Sequence, residues 1–118
     1  MQYALLIYSS EAADAKMTQA EGQAVFQGYM EFTKWLNESG KSQGGRPLEK
    51  VANATTVRVR NGKTTTTDGP FAETKEQLGG FYLVDAKDLD DAISIAAKIP
   101  GAKHGCIEVR PVMQLPGM

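Results

Sequence analysis

The chain has few of the residue types that carry strong functional signals. Its 118 residues include one cysteine, Cys106, and one histidine, His104. A single cysteine excludes an intramolecular disulfide and is typical of a chain that folds in a reducing compartment. One histidine and one cysteine also fall short of the four ligands that a structural metal site needs, so we expect no metal.

Long apolar runs, strong net charge and nucleotide motifs are also missing. No stretch approaches the roughly 20 apolar residues of a membrane span, and the first residues lack the basic region of a signal peptide. The formal net charge is -1, which gives no electrostatic attraction to nucleic acid or anionic membranes. Neither a phosphate-loop nor a dinucleotide-binding glycine pattern occurs. We therefore predict a cytoplasmic protein with no cofactor, no nucleic-acid partner and no membrane partner.

The composition that remains is that of one globular domain spanning residues 1–118. Hydrophobic residues make up 42% of the chain and charged residues 23%, which favours a folded chain over a disordered one. A chain of this length buries roughly two-thirds of the surface that it would expose when unfolded. The length therefore allows a hydrophobic core without disulfides or metals.

Hydrophobic periodicity predicts both strands and helices. Strands are predicted over residues 3–8, 55–60, 63–67, 78–85 and 107–112, and helices over 18–40 and 88–100. Thr18 and Glu21 have the spacing of a capping box, and Asp88 is a suitable N-cap for the second helix. Asn61-Gly62 predicts a type I′ hairpin turn, and Gly79-Gly80 predicts a bulge or a close backbone approach.

The order of these elements is strand, helix, hairpin, strand, helix, strand. This order matches an α+β, ferredoxin-like βαββαβ fold with an extra strand pairing, in which an antiparallel sheet packs two helices on one face. The first strand carries apolar residues on both of its sides, namely Tyr3, Leu5 and Ile7 against Ala4, Leu6 and Tyr8. A second copy of the chain is the economical cover for the other face, so we predict a homodimer.

The segment Asp68–Phe81 is the most distinctive part of the sequence. Asp68-Gly69-Pro70 predicts a tight turn, and Phe71 is expected to anchor it by burial. Four ionisable side chains follow within nine residues, Asp68, Glu73, Lys75 and Glu76. They either line a cleft or, in the simpler interpretation, Asp68 caps the turn while the others are solvated loop charges.

His104 is the side chain best suited to proton transfer near neutral pH. It follows the end of the second helix and precedes the last strand, so it is placed to face a pocket at the sheet edge. A loop histidine bonded to backbone is the alternative. Cys106, two residues later, is expected to be a buried, inert thiol.

Several segments together resemble a known family. Asp68–Phe71 spells the DGPF motif, and its continuation also matches. Further similarity lies in Met1–Tyr8, Ala54–Arg60 and Ala102–Val112. The chain is identified as a member of the YCII-related family, in the branch named after the DGPF motif. The resemblance implies a dimeric α+β barrel, in which two ferredoxin-like units pack sheet to sheet around a pocket.

The resemblance also implies functional hypotheses. Members of the wider family are suggested to be enzymes because of a His–Asp pair. That pair is not carried over whole, because its histidine belongs to an earlier region and the one histidine of this chain is His104, near the C-terminus. We therefore predict a small-molecule-binding domain, with a cofactor-free acid–base enzyme as the first hypothesis. In it, His104 is catalytic together with Asp68 and Glu73, and the ligand contacts Phe71, Lys75 and Glu76.

Two alternatives remain open. Members of the DGPF branch look as if they often accompany extracytoplasmic-function sigma factors, which implies a non-catalytic ligand-sensing or regulatory module. A structural dimer module without a ligand is the third possibility. Converging proton-transfer groups would favour the enzyme, whereas an apolar pocket that excludes His104 would favour the sensor.

Overall fold

A computed structural model describes residues 1–117. Its strands are β1 (Gln2–Ser9), β2 (Ser42–Pro47), β3 (Thr55–Arg60), β4 (Lys63–Asp68), β5 (Gln77–Asp85) and β6 (Cys106–Pro111). Its helices are α1 (Glu11–Asp14), α2 (Gln19–Glu38) and α3 (Leu89–Ala97), with 3₁₀ turns at Val51–Asn53 and Pro100–Lys103. Over the part of the chain described, no helix is long and apolar enough to cross a membrane.

The main sheet has four antiparallel strands in the order β2-β5-β1-β6. In the centre, Leu5 of β1 pairs with Tyr82 of β5 on one side and Val109 of β6 on the other. Because the two helices α2 and α3 connect non-adjacent strands, this order is that of a ferredoxin-like sheet. The predicted α+β fold is confirmed.

The strand β2 is a correction to the sequence-based prediction, which placed no strand between residues 41 and 54. Its sequence, Ser-Gln-Gly-Gly-Arg-Pro, has little strand propensity. The strand forms because β5 offers a free edge, and a glycine bulge lets the chain follow it. Gly44 and Gly45 have φ values of +117° and +152°, and the register shifts between Ser42 and Gly45. Tertiary pairing has overridden local propensity here.

The hairpin β3–β4 forms a separate two-stranded sheet. Its turn residues Asn61 and Gly62 have φ values of +52° and +75°, which confirms the predicted type I′ turn. Because β2 occupies the edge of the main sheet, the hairpin has no place there and projects from the body. Val57 and Val59 are accordingly 59% and 57% exposed.

The predicted helix ends are confirmed in detail. Thr18 Oγ1 accepts a hydrogen bond from the Glu21 amide at 3.1 Å, and Glu21 Oε1 accepts one from the Thr18 amide at 3.0 Å. This reciprocal pair is the predicted capping box at the start of α2. The Asp88 carboxylate accepts from the Asp91 amide at 2.9 Å and so caps α3.

The core lies between the helices and one face of the main sheet. Its buried apolar side chains are Tyr3, Leu5, Ile7, Phe32, Leu36, Val84, Ala86, Ala92, Ile95, Ala96 and Ile99. Only two of them, Phe32 and Leu36, belong to α2, and both lie in its C-terminal part. The first three turns of this 20-residue helix therefore contribute no buried side chain.

The predicted irregularity at Gly79-Gly80 is a β-bulge. Ile7 pairs with Gly80, whereas the next residue, Tyr8, pairs with Leu78, so Gly79 has no partner in β1. A Cβ atom on Gly80 would lie 3.1 Å from the Arg46 carbonyl oxygen. The bulge thus allows β2 to approach closely next to the cavity described below.

Candidate functional site

A half-open cavity of about 670 Å³ lies beneath the first three turns of α2. Its floor is the end of β1 and the bulged part of β5, and its far wall is the segment after β2. Much of the lining is apolar or aromatic and includes Ile7, Val25, Phe26, Tyr29, Met30 and Tyr82. Phe26 and Met30 are 66% and 55% exposed, so this apolar wall stands open in the isolated chain.

The short helix α1 supplies acidic groups to the cavity. The Ser10 hydroxyl accepts from the Ala13 amide at 3.1 Å and caps α1. This places Asp14 in the lining, where it accepts a hydrogen bond from the Ser9 hydroxyl at 2.8 Å. Glu11 also lines the cavity and accepts from the Val51 amide at 3.0 Å. Both carboxylates are thus held in fixed positions.

Tyr29 brings a hydroxyl group into the cavity from α2. A Cβ atom on Gly101 would lie 2.6 Å from this hydroxyl, so a larger residue at that position would displace the phenol. Burial raises the pKa of Tyr29, and Asp14 raises it slightly further, while the backbone amide of Gly101 acts in the opposite direction. The phenol is therefore protonated at neutral pH and can donate a hydrogen bond.

His104 follows the 3₁₀ turn at Pro100–Lys103 and borders two cavities. The second cavity, of about 640 Å³, runs along the opposite flank of α2 towards α3. Met17, Val25 and His104 line both cavities, so the two meet at this histidine. Glu21 lies close to His104: the hydrogen bonds from Thr18 lower the pKa of Glu21 most, and His104 adds a smaller effect.

The predicted residues of the DGPF segment lie elsewhere. Asp68 ends β4 and is exposed, as are Glu73 and Lys75. None of the three lines either of the cavities described above. Within one chain, His104 is therefore not brought together with Asp68 or Glu73, and their predicted roles stay predictions.

Two predictions about burial in this region are wrong. Phe71 is 80% exposed and anchors nothing in its own chain, because the projecting hairpin leaves no surface for it to pack on. Cys106 is also exposed. Its sulfur lies 3.8 Å from the Glu76 carboxylate. Partial desolvation and that carboxylate raise the pKa of the thiol, which keeps it protonated and unreactive at neutral pH.

Tyr29 and Asp14 are the residues that sequence reasoning missed. Tyr29 falls on the apolar stripe of α2, and an aromatic residue at that spacing is usually a core side chain. Asp14 lies in a four-residue helix that is too short to show a periodicity. The Ser10 N-cap with Glu11 directly after it was the only local signal for α1. Over residues 1–117, no cluster of three or more His, Cys, Asp or Glu side chains is arranged to hold a metal ion.

Comparison with known proteins agrees with the fold. The model of the YCII-related domain matches residues 1–116. An uncharacterized protein of Rhizobium meliloti (strain 1021) is 38% identical over 114 residues, which cover 95% of this chain and 92% of that protein. The placement in the DGPF branch stays a prediction. A match over nearly the whole length establishes that the chain belongs to the YCII-related domain family.

Proposed function

We propose that the domain binds a small, mainly apolar organic molecule in the cavity beneath the N-terminal turns of α2. The observation that carries this proposal is the cavity itself, with about 670 Å³ of space and a largely apolar, aromatic lining. Ligand sites are typically concave and apolar, with a few polar groups that fix orientation. Exposed Phe26 and Met30 give a ligand apolar surface to cover.

Acid–base catalysis is the second candidate function. It is favoured by the presence of His104, Tyr29 and Asp14 in the lining of one cavity. A histidine and a protonated phenol together supply an acceptor and a donor for proton transfer. A ligand-sensing role, without turnover and alongside a sigma-factor-type regulator, uses the same cavity and is the alternative to catalysis.

A blocking substitution tests the binding proposal. Gly22 lines the cavity, and a Cβ atom built on it meets no atom within 4 Å. Phe26 and Tyr29, four and seven residues later, lie on the same face of the helix. We expect Gly22→Phe to fill the space without a clash and to lower the affinity for an apolar fluorescent probe, N-phenyl-1-naphthylamine, by about tenfold or more.

The matched control is Gln23→Phe. Gln23 is the next residue along α2, is exposed and lines neither cavity. It adds the same apolar ring to the same helical turn, but on a different face. The proposal predicts that wild type and Gln23→Phe bind the probe equally in a fluorescence titration. Equal binding by Gly22→Phe would mean that the probe sits elsewhere, and the proposal would fail.

Native mass spectrometry of gently purified protein separates catalysis from sensing. A retained small molecule gives a compound to test for turnover. If the domain is an enzyme, His104→Gln should still bind this compound but lose turnover, since glutamine cannot exchange a proton near neutral pH. A bound compound that wild type leaves unchanged would favour sensing.

We also propose that the domain works as a homodimer through the open face of the main sheet. Cross-strand partners put Leu6, Phe81 and Glu108 in one row of this face, and Ala4 and Leu83 in the next. The four apolar members are only half-buried in the isolated chain. Continuous apolar surface of this kind marks an interface. In such a dimer, Asp68 and Glu73 of the projecting segment have only the partner's surface to contact.

Light scattering tests the dimer directly. Wild type should have twice the monomer mass at micromolar concentration, and Leu6→Lys should be a folded monomer because it places a charge in the centre of the apolar face. The control Leu89→Lys alters a 50% exposed leucine on α3, away from this face, and should leave the mass unchanged. A monomeric wild type would overturn the proposal.

A further inference from the structure

The polar groups in the cavity differ in whether they already form hydrogen bonds within the protein. The carboxylates are engaged: Glu11 accepts from the Val51 amide at 3.0 Å, and Asp14 accepts from the Ser9 hydroxyl at 2.8 Å. The Tyr82 hydroxyl is also engaged, since it lies 2.8 Å from the Thr33 hydroxyl. These groups position the walls of the cavity and have part of their hydrogen-bonding capacity occupied.

Tyr29 differs from Tyr82 in this respect. The backbone of Gly101 lies next to the Tyr29 hydroxyl, since a Cβ atom on Gly101 would be 2.6 Å from it, and a backbone amide there can donate only to the oxygen of the phenol. Within residues 1–117, no protein acceptor is hydrogen-bonded to the Tyr29 hydroxyl. Because Tyr29 is only half-buried and lines the open cavity, its proton is available to a ligand that supplies an acceptor there.

The charged side chains around the cavity limit the class of ligand further. Asp14 lies near Tyr29 and disfavours an anion there. The exposed outer wall carries charges of both signs, Arg46, Glu49 and Lys50, and so favours neither sign at the entrance. An uncharged acceptor avoids the repulsion by Asp14, and the apolar lining suits the rest of such a molecule.

We propose that the ligand of this cavity is an uncharged, mainly apolar molecule with a carbonyl-type oxygen, and that Tyr29 donates the hydrogen bond that recognises this oxygen. This inference rests on the proposed function, because it assigns a ligand class to the same cavity. Burial and Asp14 keep the phenol protonated, as a donor requires. Tyr82, whose hydroxyl is already paired, does not take part in recognition.

Two ligands of nearly equal shape test the inference. 2-Acetylnaphthalene carries a carbonyl oxygen, and 2-ethylnaphthalene replaces that oxygen by hydrogens. Each displaces N-phenyl-1-naphthylamine from wild type, Tyr29→Phe and the control Tyr8→Phe, and the readout is the ratio of the two affinities. Using the ratio within each variant removes the difference in hydrophobicity between the two compounds.

We expect Tyr29→Phe to reduce the preference for the ketone by about 2- to 10-fold, the value of one neutral hydrogen bond. The control Tyr8→Phe removes a phenol hydroxyl from a residue that lines neither cavity and should leave the ratio at its wild-type value. If Gly22→Phe weakens probe binding but Tyr29→Phe leaves the affinity ratio unchanged, the inference is wrong and the proposed function still stands. If Gly22→Phe leaves probe binding unchanged, both the proposed function and the inference are wrong.

Discussion

The two ends of α2 meet the rest of the molecule in different ways. The C-terminal part, residues 31–38, holds both buried side chains of the helix, Phe32 and Leu36. The N-terminal part, residues 19–30, has none and lies above a cavity. The C-terminal part of α2 is thus packed on the core, whereas residues 19–30, which we call the overhang, project over the cavity. Burial of two large apolar side chains suffices to fix the helix, and it leaves the other end free to cover a ligand.

The overhang depends more on local interactions than the C-terminal part does, since it buries no side chain fully, although half-buried Tyr29 packs against the core. A capping box closes its first turn through Thr18 and Glu21. The same part contains Gly22 and Gly28, each of which weakens a helix by about 1 kcal/mol relative to alanine. An N-terminal part with two glycines and no buried side chain should open more readily than the anchored part.

Shortening a side chain to alanine should give the largest difference in stability between the two parts of α2. Leu36 is 0% exposed, and Leu36→Ala is expected to lower the free energy of unfolding by about 2–5 kcal/mol. Val25 lines both cavities and is only half-buried. Val25→Ala should therefore lower the free energy of unfolding by less than about 1 kcal/mol. Urea denaturation measures both variants, and equal losses would mean that the N-terminal part is packed after all.

Glycine substitution should give a smaller difference within the N-terminal part. Gly22→Ala is expected to raise the free energy of unfolding by about 0.5–1 kcal/mol, since a Cβ atom there meets nothing within 4 Å. At Gly28 the same atom would lie 3.0 Å from Pro100 Cγ. Gly28→Ala should therefore raise the free energy of unfolding by less than Gly22→Ala does, or lower it. Thermal unfolding compares the two. A larger gain at Gly28 would show that Pro100 yields easily and that this flank is loosely packed.

Lowering the pH should have the smallest effect on the stability of the overhang. The Thr18 backbone and side-chain hydrogen bonds lower the pKa of Glu21 in the folded protein. Its stabilising effect is therefore fully present above the ordinary pKa of a glutamate and is lost as pH falls through the lowered value. The difference in unfolding free energy between wild type and Glu21→Gln should be small at neutral pH and should shrink as pH falls through the lowered pKa of Glu21. A difference that grows on acidification would contradict the capping box.

Most of the fold could be predicted from the sequence because local patterns and packing agree there. The apolar stripe of α2, the cap at Asp88 and the Asn61-Gly62 turn each specify one structure, and each is observed. The strand β2 could not be predicted, since its glycine-rich sequence pairs only because β5 presents a free edge. Missing β2 also hid the reason why the hairpin projects.

The candidate site was harder to predict than the fold. His104 was identified by its chemistry, and it does line the cavity. Its predicted companions were chosen because charges cluster in the DGPF segment, but closeness in sequence did not become closeness in space. Tyr29 and Asp14 reach His104's cavity from α2 and α1, and only the packing of these helices reveals that they share it. The sequence carries no pattern for such long-range convergence.

Hydrogen exchange with and without N-phenyl-1-naphthylamine tests the central claim most directly. Without the probe, amides of residues 22–30 should exchange faster than those of residues 33–38. With the probe, protection should increase in residues 22–30 and in the segment around Gly101, and this increase should be absent in Gly22→Phe. Protection confined to the open face of the main sheet, around Leu6 and Leu83, would contradict a ligand site beneath α2.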